Sequence, residues 1–535
     1  MAANAEPITA EETDHPFAPL ANGVFRALWI ASIASNIGTW MQNVGAGWLM
    51  TEINPSPLYV SLVQTATSLP VFLLGIPAGA AADLFDRRKL LVFSQAFMAF
   101  AAGVLGWLTV IGKTSPVTLL LATFALGMGS TLNNPAWQAI VPEIVTRKDL
   151  PQAISLNSVG FNLARAVGPA IGGFMLAAFN PGAVFILNAL SFVGVIVVLY
   201  FWKRQPQEQS STVNESIVSA TWAGLRYVRY SPGIRSVLVR SGAFIIGGSA
   251  IWAILPIVTK AELKGTATSY GILLGCLGVG SMASALLLAK FRLRFTPDQL
   301  IVSAGAVWGI VTILLGWLDN FTLAAIAMVA AGVAWVAEMS SFNVAAQTVL
   351  PAWVRARALA AYLLVFQGGM ALASMLWGTV AERYGNRASL YAAGITSLLS
   401  LLLVKRFPIR LGDEAEITRS GHWPEPVFKT PPDPGRGPVL VMVEYDIDPG
   451  ERAQFAAAMR ELGRIRLRDG AIRWGIFEDA AAPNRHVESF LVESWAEHLR
   501  QHDRTTLADR EVEEHAKHFH RGAHPPVATH WLASE

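Results

Sequence analysis

The chain has 535 residues, of which 53% are hydrophobic and 15% charged, with a formal net charge of +3 at pH 7. A soluble protein carries roughly 25% charged residues, so a single soluble globule is excluded, and so small a net charge gives no argument for nucleic acid as a partner. The one cysteine, Cys276, rules out an internal disulfide and reads as a buried thiol.

Residues 1–22 contain Glu6, Glu11, Glu12 and Asp14 and no basic residue. They read as a disordered cytoplasmic tail and not as a cleavable leader. From 23 onward, apolar runs of about 20 residues, the length that crosses a bilayer as a helix, recur with centres near Gly38, Leu69, Ala101, Leu126, Gly168, Leu190, Gly247, Gly278, Val307, Val333, Ala371 and Leu398. They predict an all-α polytopic membrane part of about twelve helices, with a six-helix half at 23–203 and another at 236–407. The polar stretch 204–235 separates them. Ile217, Ala220, Trp222 and Leu225 lie there at helical spacing, which predicts an interfacial amphipathic helix.

Basic residues set the orientation. Alternate loops carry fifteen of them, among them Arg87, Arg88, Lys89, Arg147 and Lys148; the opposite set holds Lys113, Lys260, Lys264, Arg383 and Arg387. That bias places both termini in the cytoplasm. The halves also repeat. A shift of 209 positions carries Asn134 onto Asn343, Gln138 onto Gln347 and Pro142 onto Pro351. Parallel six-helix halves put a pathway between them near the bilayer midplane.

The loop after the second run reads GAAADLFDRRK, Gly79 to Lys89. It resembles the cytoplasmic signature of the major facilitator superfamily, with Gly79, Asp83, Arg87 and Arg88 matching and Asp86 standing where glycine is usual. The resemblance implies that Asp83 caps a helix of the other half and latches a cytoplasmic gate, because a carboxylate is stabilised at a helix N-terminus. A purely topogenic loop is the alternative. The fifth run holds GPAIGG, Gly168 to Gly173, which resembles the superfamily's antiporter motif; Gly168, Pro169 and Gly172 are the gating candidates. Pro169 bends the helix. Gly160, Ala164, Gly168 and Gly172 form a small-residue stripe that permits close helix contact. Gly271, Gly275 and Gly278 of the eighth run offer a matching face, and the two are expected to seal the outer side. Close packing without a gating role is the competing reading.

Polar groups at membrane depth face a cavity or a partner, because an Arg or Asp there costs about 2.5–3.5 kcal/mol on insertion scales. Asn36, Trp40, Asn43 and Gly47 share one stripe of the first run; Asn134 with Gln138, and Asn343 with Gln347, share faces of the fourth and tenth. In the superfamily those helices line the pathway, so Asn36, Trp40, Asn43, Asn134, Gln138, Asn343 and Gln347 are candidate substrate contacts. Interhelical hydrogen bonds would explain them equally. Arg165 is a candidate for an anionic substrate, or for neutralising Glu338. Glu338 has only Gly129 at its repeat position and is the proton-coupling candidate, because a carboxyl group in a low-dielectric cavity can exchange a proton near neutral pH. A fixed ion pair is the alternative. Arg240 reads as snorkelling to the interface.

Residues 408–437 are rich in proline and read as a linker. From 438 to 535 the period changes. Strands at 439–447, 472–477, 486–492 and 528–532 alternate with helices at 450–468 and 495–518, an order that suggests an α+β ferredoxin-like sandwich. The segment resembles the antibiotic-biosynthesis-monooxygenase-like fold, whose members dimerise through their sheets. Eight of the ten histidines lie here, including His498 and His502, and read as solvated and not as metal ligands. No catalytic set is assembled, so dimerisation or regulation is the expected role.

The membrane part as a whole resembles the major facilitator superfamily, and within it the branch of the enterobactin exporter and macrolide-efflux-like transporters. That resemblance implies a plasma-membrane exporter of a siderophore or hydrophobic drug-like compound, working by alternating access against inward proton flow. No nucleotide-binding loop is present. The expected partners are a small-molecule substrate, the proton, the lipid bilayer and a second copy at the C-terminal domain, with no cofactor, metal or enzymatic activity. An importer of the same fold, or a membrane-tethered monooxygenase coupled to transport, remains as an alternative.

Overall fold

The computed structural model describes residues 16–202, 217–423 and 432–534, with backbone alone at Asp83 and 217–221. The first half comprises α1 (Gly23–Ile53), α2 (Pro57–Leu84), α3 (Arg87–Val110), α4 (Pro116–Ile144), α5 (Leu150–Ala178) and α6 (Pro181–Phe201). The linker helix α7 (Ile217–Tyr230) follows, then α8 (Pro232–Ala261), α9 (Ala267–Arg292), α10 (Pro297–Trp317), α11 (Phe321–Thr348), α12 (Ala352–Tyr384) and α13 (Asn386–Ser400). Helix starts are written in the sequence. Side chains of Asn22, Ser56, Ser115, Asn180, Thr266, Thr296 and Asn320 accept first-turn N–H groups, each cap contributing about 1 kcal/mol. Proline stands in the first turn of α2, α4, α6, α8 and α10, where its missing N–H costs nothing.

Among the described residues, 11 helices are long and apolar enough to cross a bilayer. The twelfth of the bundle, α1, has 31 residues but is diluted by Ser32, Ser35, Asn36, Thr39, Gln42 and Asn43. That polarity places it inside, against α5 and α6. Residues 18–21, expected to be disordered, form a 3-10 turn, and Asn22 Nδ2 fastens it to the Ile144 carbonyl at 2.9 Å.

Helices alternate in direction, so the start of α1, α7 and the segment after α13 share one side of the bundle, the terminal side; the opposite side is the far side. Two seams join the halves: α5 on α9, and α2 on α12. In the first, a Cβ added to Gly173 would lie 2.8 Å from Gly271 Cα, and one on Gly278 2.6 Å from Ala166 Cα. In the second, Thr65 Oγ1 donates to the Ala371 carbonyl at 2.9 Å, and Gly378 leaves room for Ser61. Both seams run from the far side to about mid-depth. Near the terminal end of α2, no described atom of another helix lies within 4 Å of the place a Gly79 Cβ would occupy. The bundle is therefore closed on the far side and open on the terminal side.

The seam corrects one expectation. Gly160, Gly168 and Gly172 do not face α9; they receive Ile33, Trp40 and Met41 of α1. Gly173, on the adjoining face, meets Gly271. A stripe at four-residue spacing shows that a helix is approached closely but not by which neighbour.

After α13 the chain forms a strap. Ile409 N donates to Asp298 at 3.1 Å and Gly412 N to Thr348 Oγ1 at 3.3 Å. The short α14 (Glu414–Ile417) follows, and Ser420 N donates to the Thr505 carbonyl at 2.9 Å. The described part of the expected linker is thus tied down at both ends.

The C-terminal domain consists of β1 (Val439–Asp446), α15 (Arg452–Asp469), β2 (Ala471–Glu478), β3 (Arg485–Val492), α16 (Trp495–Arg504), α17 (Leu507–Lys517) and β4 (Ala528–Leu532). Its antiparallel sheet runs β2-β3-β1-β4. Alternation sends Val439, Val441, Val443 and Tyr445 inward: Val443 and Tyr445 pack with Phe455, Met459 and Leu462 of α15, and Val439 and Val441 with Phe490, Val492 and Trp495. The single helix expected at 495–518 is two, because Thr506 and Asp509 form a capping box that starts α17 afresh. The domain docks on the terminal side. Arg226 of α7 pairs with Glu497 at 3.1 Å, the Arg468 guanidinium lies 5.4 Å from the Tyr227 ring, and that of Arg504 lies 4.5 Å from the Trp353 ring.

Gly173→Leu would drive a side chain into the α9 backbone. Overpacking costs about 1–3 kcal/mol, which is roughly a tenfold or larger shift of a two-state equilibrium. Spin labels at Lys113→Cys and Asp319→Cys, in a Cys276→Ala background, should show a longer far-side distance in that variant.

Candidate functional site

Below the far-side seams lies a cavity walled by four helices, two from each half. Trp40, Asn43 and Gly47 come from α1, Gln64 and Thr67 from α2, Trp252 and Pro256 from α8, and Tyr270 and Leu274 from α9. Of the polar stripe expected on α1, Trp40, Asn43 and Gly47 line the cavity. Asn36 lies one turn nearer the terminal side, half-buried and outside the lining. Gly47 lets the other half approach: a Cβ there would be 3.2 Å from the Pro256 ring and 3.3 Å from the Tyr270 hydroxyl.

Arg165 sits beside this cavity. Its guanidinium carbon lies 5.9 Å from the Trp40 ring and 5.8 Å from the Trp252 ring, one indole from each half. Cation–π contacts of this kind contribute about 0.5–2 kcal/mol, which leaves the hydrogen-bonding capacity unused. Nε is buried without a hydrogen-bond partner among the described residues. Arg165 does not neutralise Glu338, as the sequence had allowed. The two belong to different halves, and Glu338 is enclosed in its own.

Glu338 is 1% exposed. It lies against α10, where a Cβ on Gly305 would be 3.3 Å from both carboxylate oxygens, and its Oε2 has no hydrogen-bond partner among the described residues. It therefore stands inside the second half and not on the inter-half cavity. One turn away, Trp335 packs on Trp308 at 4.8 Å and on Trp252 at 5.3 Å, so an aromatic cluster connects the carboxylate's surroundings with the cavity wall. Arg240, expected to snorkel, is 3% exposed and is ion-paired with Asp298. Asp298 accepts the strap's Ile409 N–H as well. An arginine near a helix end reads as interfacial only while its partner on another helix is unseen.

Asn134, Gln138, Asn343 and Gln347 are all exposed, toward the terminal end of α4 and α11. Gln347 Nε2 donates to Asn343 Oδ1 at 2.5 Å. The other asparagine of the pair, Asn133, is the structural one and accepts from Gln95 at 3.0 Å. On α1, Gln42 likewise bonds Asn188 of α6 at 2.5 Å.

The gating residues divide by end. At the terminal end, Arg87 pairs with Glu143 at 2.8 Å, and Arg88 donates to the carbonyls of Leu199 and Tyr200 at 2.7 Å. Both stay within the first half; the Asp83 side chain lies outside the described residues. Pro169 lies in the α5 seam, its carbonyl oxygen 2.7 Å from where a Gly271 Cβ would stand. At the far end, cross-half bonds appear that motif reading missed. Glu382 accepts from Ser56 Oγ at 2.7 Å and from Leu58 N at 3.4 Å, capping α2 from the other half. Lys260 Nζ donates to the Thr51 carbonyl at 2.7 Å. An acidic residue facing a helix-starting Pro-Leu across the repeat was the available signal.

In the C-terminal domain the histidines are not all solvated. His498 is 1% exposed, and its ring lies 5.0 Å from His502 and 4.7 Å from His530. Burial pushes His498 down to about 3 and His502 down to about 4, so both are neutral imidazoles at neutral pH. Arg466 pairs with Glu488 at 3.2 Å and Glu513 at 3.1 Å. Burial opposes the Glu513 charge, but Arg466 and Lys517 overcome it and hold this carboxyl down at about 2. Among the described residues no group of three His, Cys, Asp or Glu could hold a metal.

These features can be set beside known proteins. The family model described as Transmembrane secretion effector matches residues 14–535, through the C-terminal domain. The chain is 24% identical over 259 residues to the Staphyloferrin A transporter of Staphylococcus aureus (strain NCTC 8325 / PS 47), covering 48% of this chain and 64% of that protein. It is 24% identical over 388 residues to Multidrug efflux pump Tap of Mycolicibacterium fortuitum, covering 70% and 94%. The match thus spans a little under two thirds of the first relative and nearly all of the second. A crystal structure of a bacterial homolog to human lysosomal transporter, Spinster, in an inward-facing and unoccupied conformation, aligns with a TM-score of 0.60 at 15% identity, over 73% of this chain and 98% of that one. At such identity the likeness shows the fold alone, and the fold is that of the major facilitator superfamily. With its family model matched from residue 14 to the end, the chain belongs to the Transmembrane secretion effector family.

Proposed function

We propose that this protein is a proton-coupled exporter of the plasma membrane, with both termini cytoplasmic, which moves a siderophore or hydrophobic drug-like compound by alternating access. The observation that carries this reading is the cavity between the halves, closed by the Gly173–Gly271 seam and open on the terminal side. The basic residues support the orientation. Arg87, Arg88, Arg226, Arg229 and Arg235 all belong to the terminal side, where the positive-inside rule puts the cytoplasm. The open side is then the loading side of an exporter.

In this reading the indoles of Trp40 and Trp252 hold an apolar or aromatic body, Asn43 and Gln64 bond its polar groups, and the free Nε of Arg165 takes an anionic group. Asn134, Gln138, Asn343 and Gln347 line the approach from the open side. Glu338 carries the proton. A carboxylate buried at membrane depth costs about 2.5–3.5 kcal/mol on insertion scales, and Arg240, the basic group that acts on it, is already engaged by Asp298. Asp83 and its arginines latch the terminal side in the opposite state.

The strand order β2-β3-β1-β4 supports a ferredoxin-like domain of the antibiotic-biosynthesis-monooxygenase-like type, serving regulation and not catalysis. Its helix-free sheet face bears Phe477 and Trp531, each 61% exposed, and pairs with a second copy of the domain.

Inverted membrane vesicles bearing the protein should accumulate substrate from a panel of siderophores and drugs when a proton gradient is imposed. Absence of gradient-driven uptake for every compound would remove the exporter reading. Glu338→Gln should abolish gradient dependence while leaving substrate counterflow within about twofold. Arg165→Gln should raise KM for anionic substrates roughly tenfold, equivalent to one charge-assisted hydrogen bond of about 1.5 kcal/mol, and leave neutral substrates unchanged.

A further inference from the structure

Trp423 fastens the strap to the C-terminal domain in the manner of a bound ligand. Its indole N–H donates to both carboxylate oxygens of Glu513, at 3.2 and 3.0 Å. The Arg466 guanidinium lies 4.8 Å from its ring, and the His502 ring meets it edge-on at 4.7 Å. Arg466 and Glu513 are themselves buried, at 5% and 4% exposure. A flat aromatic ring with one hydrogen-bond donor is thus what this slot accepts.

Behind His502 stands a second feature. Beyond His502, at 5.0 Å, stands His498, whose Nδ1 is 3.3 Å from Gln501 Oε1. An amide oxygen only accepts, so Nδ1 carries the proton and Nε2 is left as a bare acceptor. That Nε2 and the Gln501 Nε2 donor are both buried without a hydrogen-bond partner among the described residues, in residues each 1% exposed. Burial keeps the imidazole neutral, its lone pair free. Two side chains bonded to each other thus leave one acceptor and one donor unsatisfied, and a hydroxyl group can satisfy both at once. Among the described residues no metal-binding group of three side chains stands here, and the partner this pair calls for is one that donates and accepts at once, as a hydroxyl does.

We propose that this slot of the C-terminal domain binds a small hydroxylated aromatic compound of the phenol or catechol class, and that Trp423 is a place-holder which the ligand displaces. The ligand ring takes the place of the indole between Arg466 and His502. One hydroxyl donates to Glu513, and a second donates to His498 and accepts from Gln501. An apolar ring would leave His498 and Gln501 unmet and would not replace the hydrogen bond that the indole gives Glu513. The site is independent of what the membrane cavity carries and of the direction of transport.

Calorimetric titration of catechol into the full chain in detergent micelles tests this directly. Trp423→Ala should bind catechol at least tenfold tighter than the parent protein, and Trp423→Phe, which keeps a ring but lacks the N–H, several-fold tighter. Gln501→Leu, added to either, should weaken catechol at least tenfold while hydrogen exchange in β1 and α15 stays unchanged. Anisole, with no hydroxyl, should bind at least tenfold more weakly than catechol. Equal affinity of catechol for the parent and both Trp423 variants would overturn the proposal. So would undiminished affinity after Gln501→Leu, or anisole binding as tightly as catechol. Efflux is not read in any arm, so its loss or absence leaves these outcomes unchanged.

Discussion

At Gly173 and Gly271 the backbones of α5 and α9 come so close that a methyl group on either would stand under 3 Å from the other's Cα. Such an approach is open only to glycine, and in a bilayer it is a chief source of helix association, since lipid offers no hydrophobic drive between helices. The contact holds the far side shut, together with Gly378 against Ser61. The rest of the membrane part follows from it. With the far ends pinned, the halves diverge toward the terminal side, and the polar residues of α1, α2, α8 and α9 are left around a cavity just beneath the seal.

The run of apolar segments, their division into halves and the polar stripe of α1 could be read from residues because they rest on local facts. A helix needs about 20 apolar residues to cross, and Trp40, Asn43 and Gly47 recur on one face. The C-terminal strands showed themselves by period, as at Val439 to Tyr445. What could not be read depends on partners far away in sequence. The stripe Gly160–Gly172 announced a close contact, but only the fold shows that α1 receives it while Gly173 meets α9. Arg240 looked interfacial because Asp298, 58 positions on, was not known to reach it. His498 lies in a helix that reads as polar, and its burial comes from His530 on β4 and Trp495 at the helix start. Glu382 matches no motif, and its acidic side chain near the end of α12 gains meaning only when the fold sets it against the start of α2 in the other half.

The C-terminal domain belongs mechanically to the second half. The strap is tied to Asp298 and Thr348 before it reaches the domain, and Arg504 rests on Trp353 at the start of α12. Tyr227 of α7, 3% exposed, is held between Trp353 and Arg468. The helix that bridges the two halves in sequence is thereby packed against the second half and its domain. A motion of one half against the other carries α7, the strap and the domain as a single body.

The energetics suit such a motion. Among the described residues the far-side seal is crossed by few hydrogen bonds: Thr65 to Ala371, Thr268 to Gly173, Ser56 and Leu58 to Glu382, and Lys260 to Thr51. Interhelical bonds in membranes contribute about 0.6–2 kcal/mol each, so together with glycine packing the seal amounts to a few kcal/mol. That is the range in which two conformations of one protein coexist. A ligand that moves the balance from 1:99 to 99:1 needs a preference of about 5.5 kcal/mol for one state. Trp40 and Trp252 stand one in each half on either side of Arg165, so a molecule bound there, as proposed, would draw the halves together. A stronger seal, built of buried ion pairs like that of Arg466 in the C-terminal domain, would resist being opened by any substrate. The weak cross-half bonds and the strong ones inside the second half are the division of strength that the proposed alternating access would require.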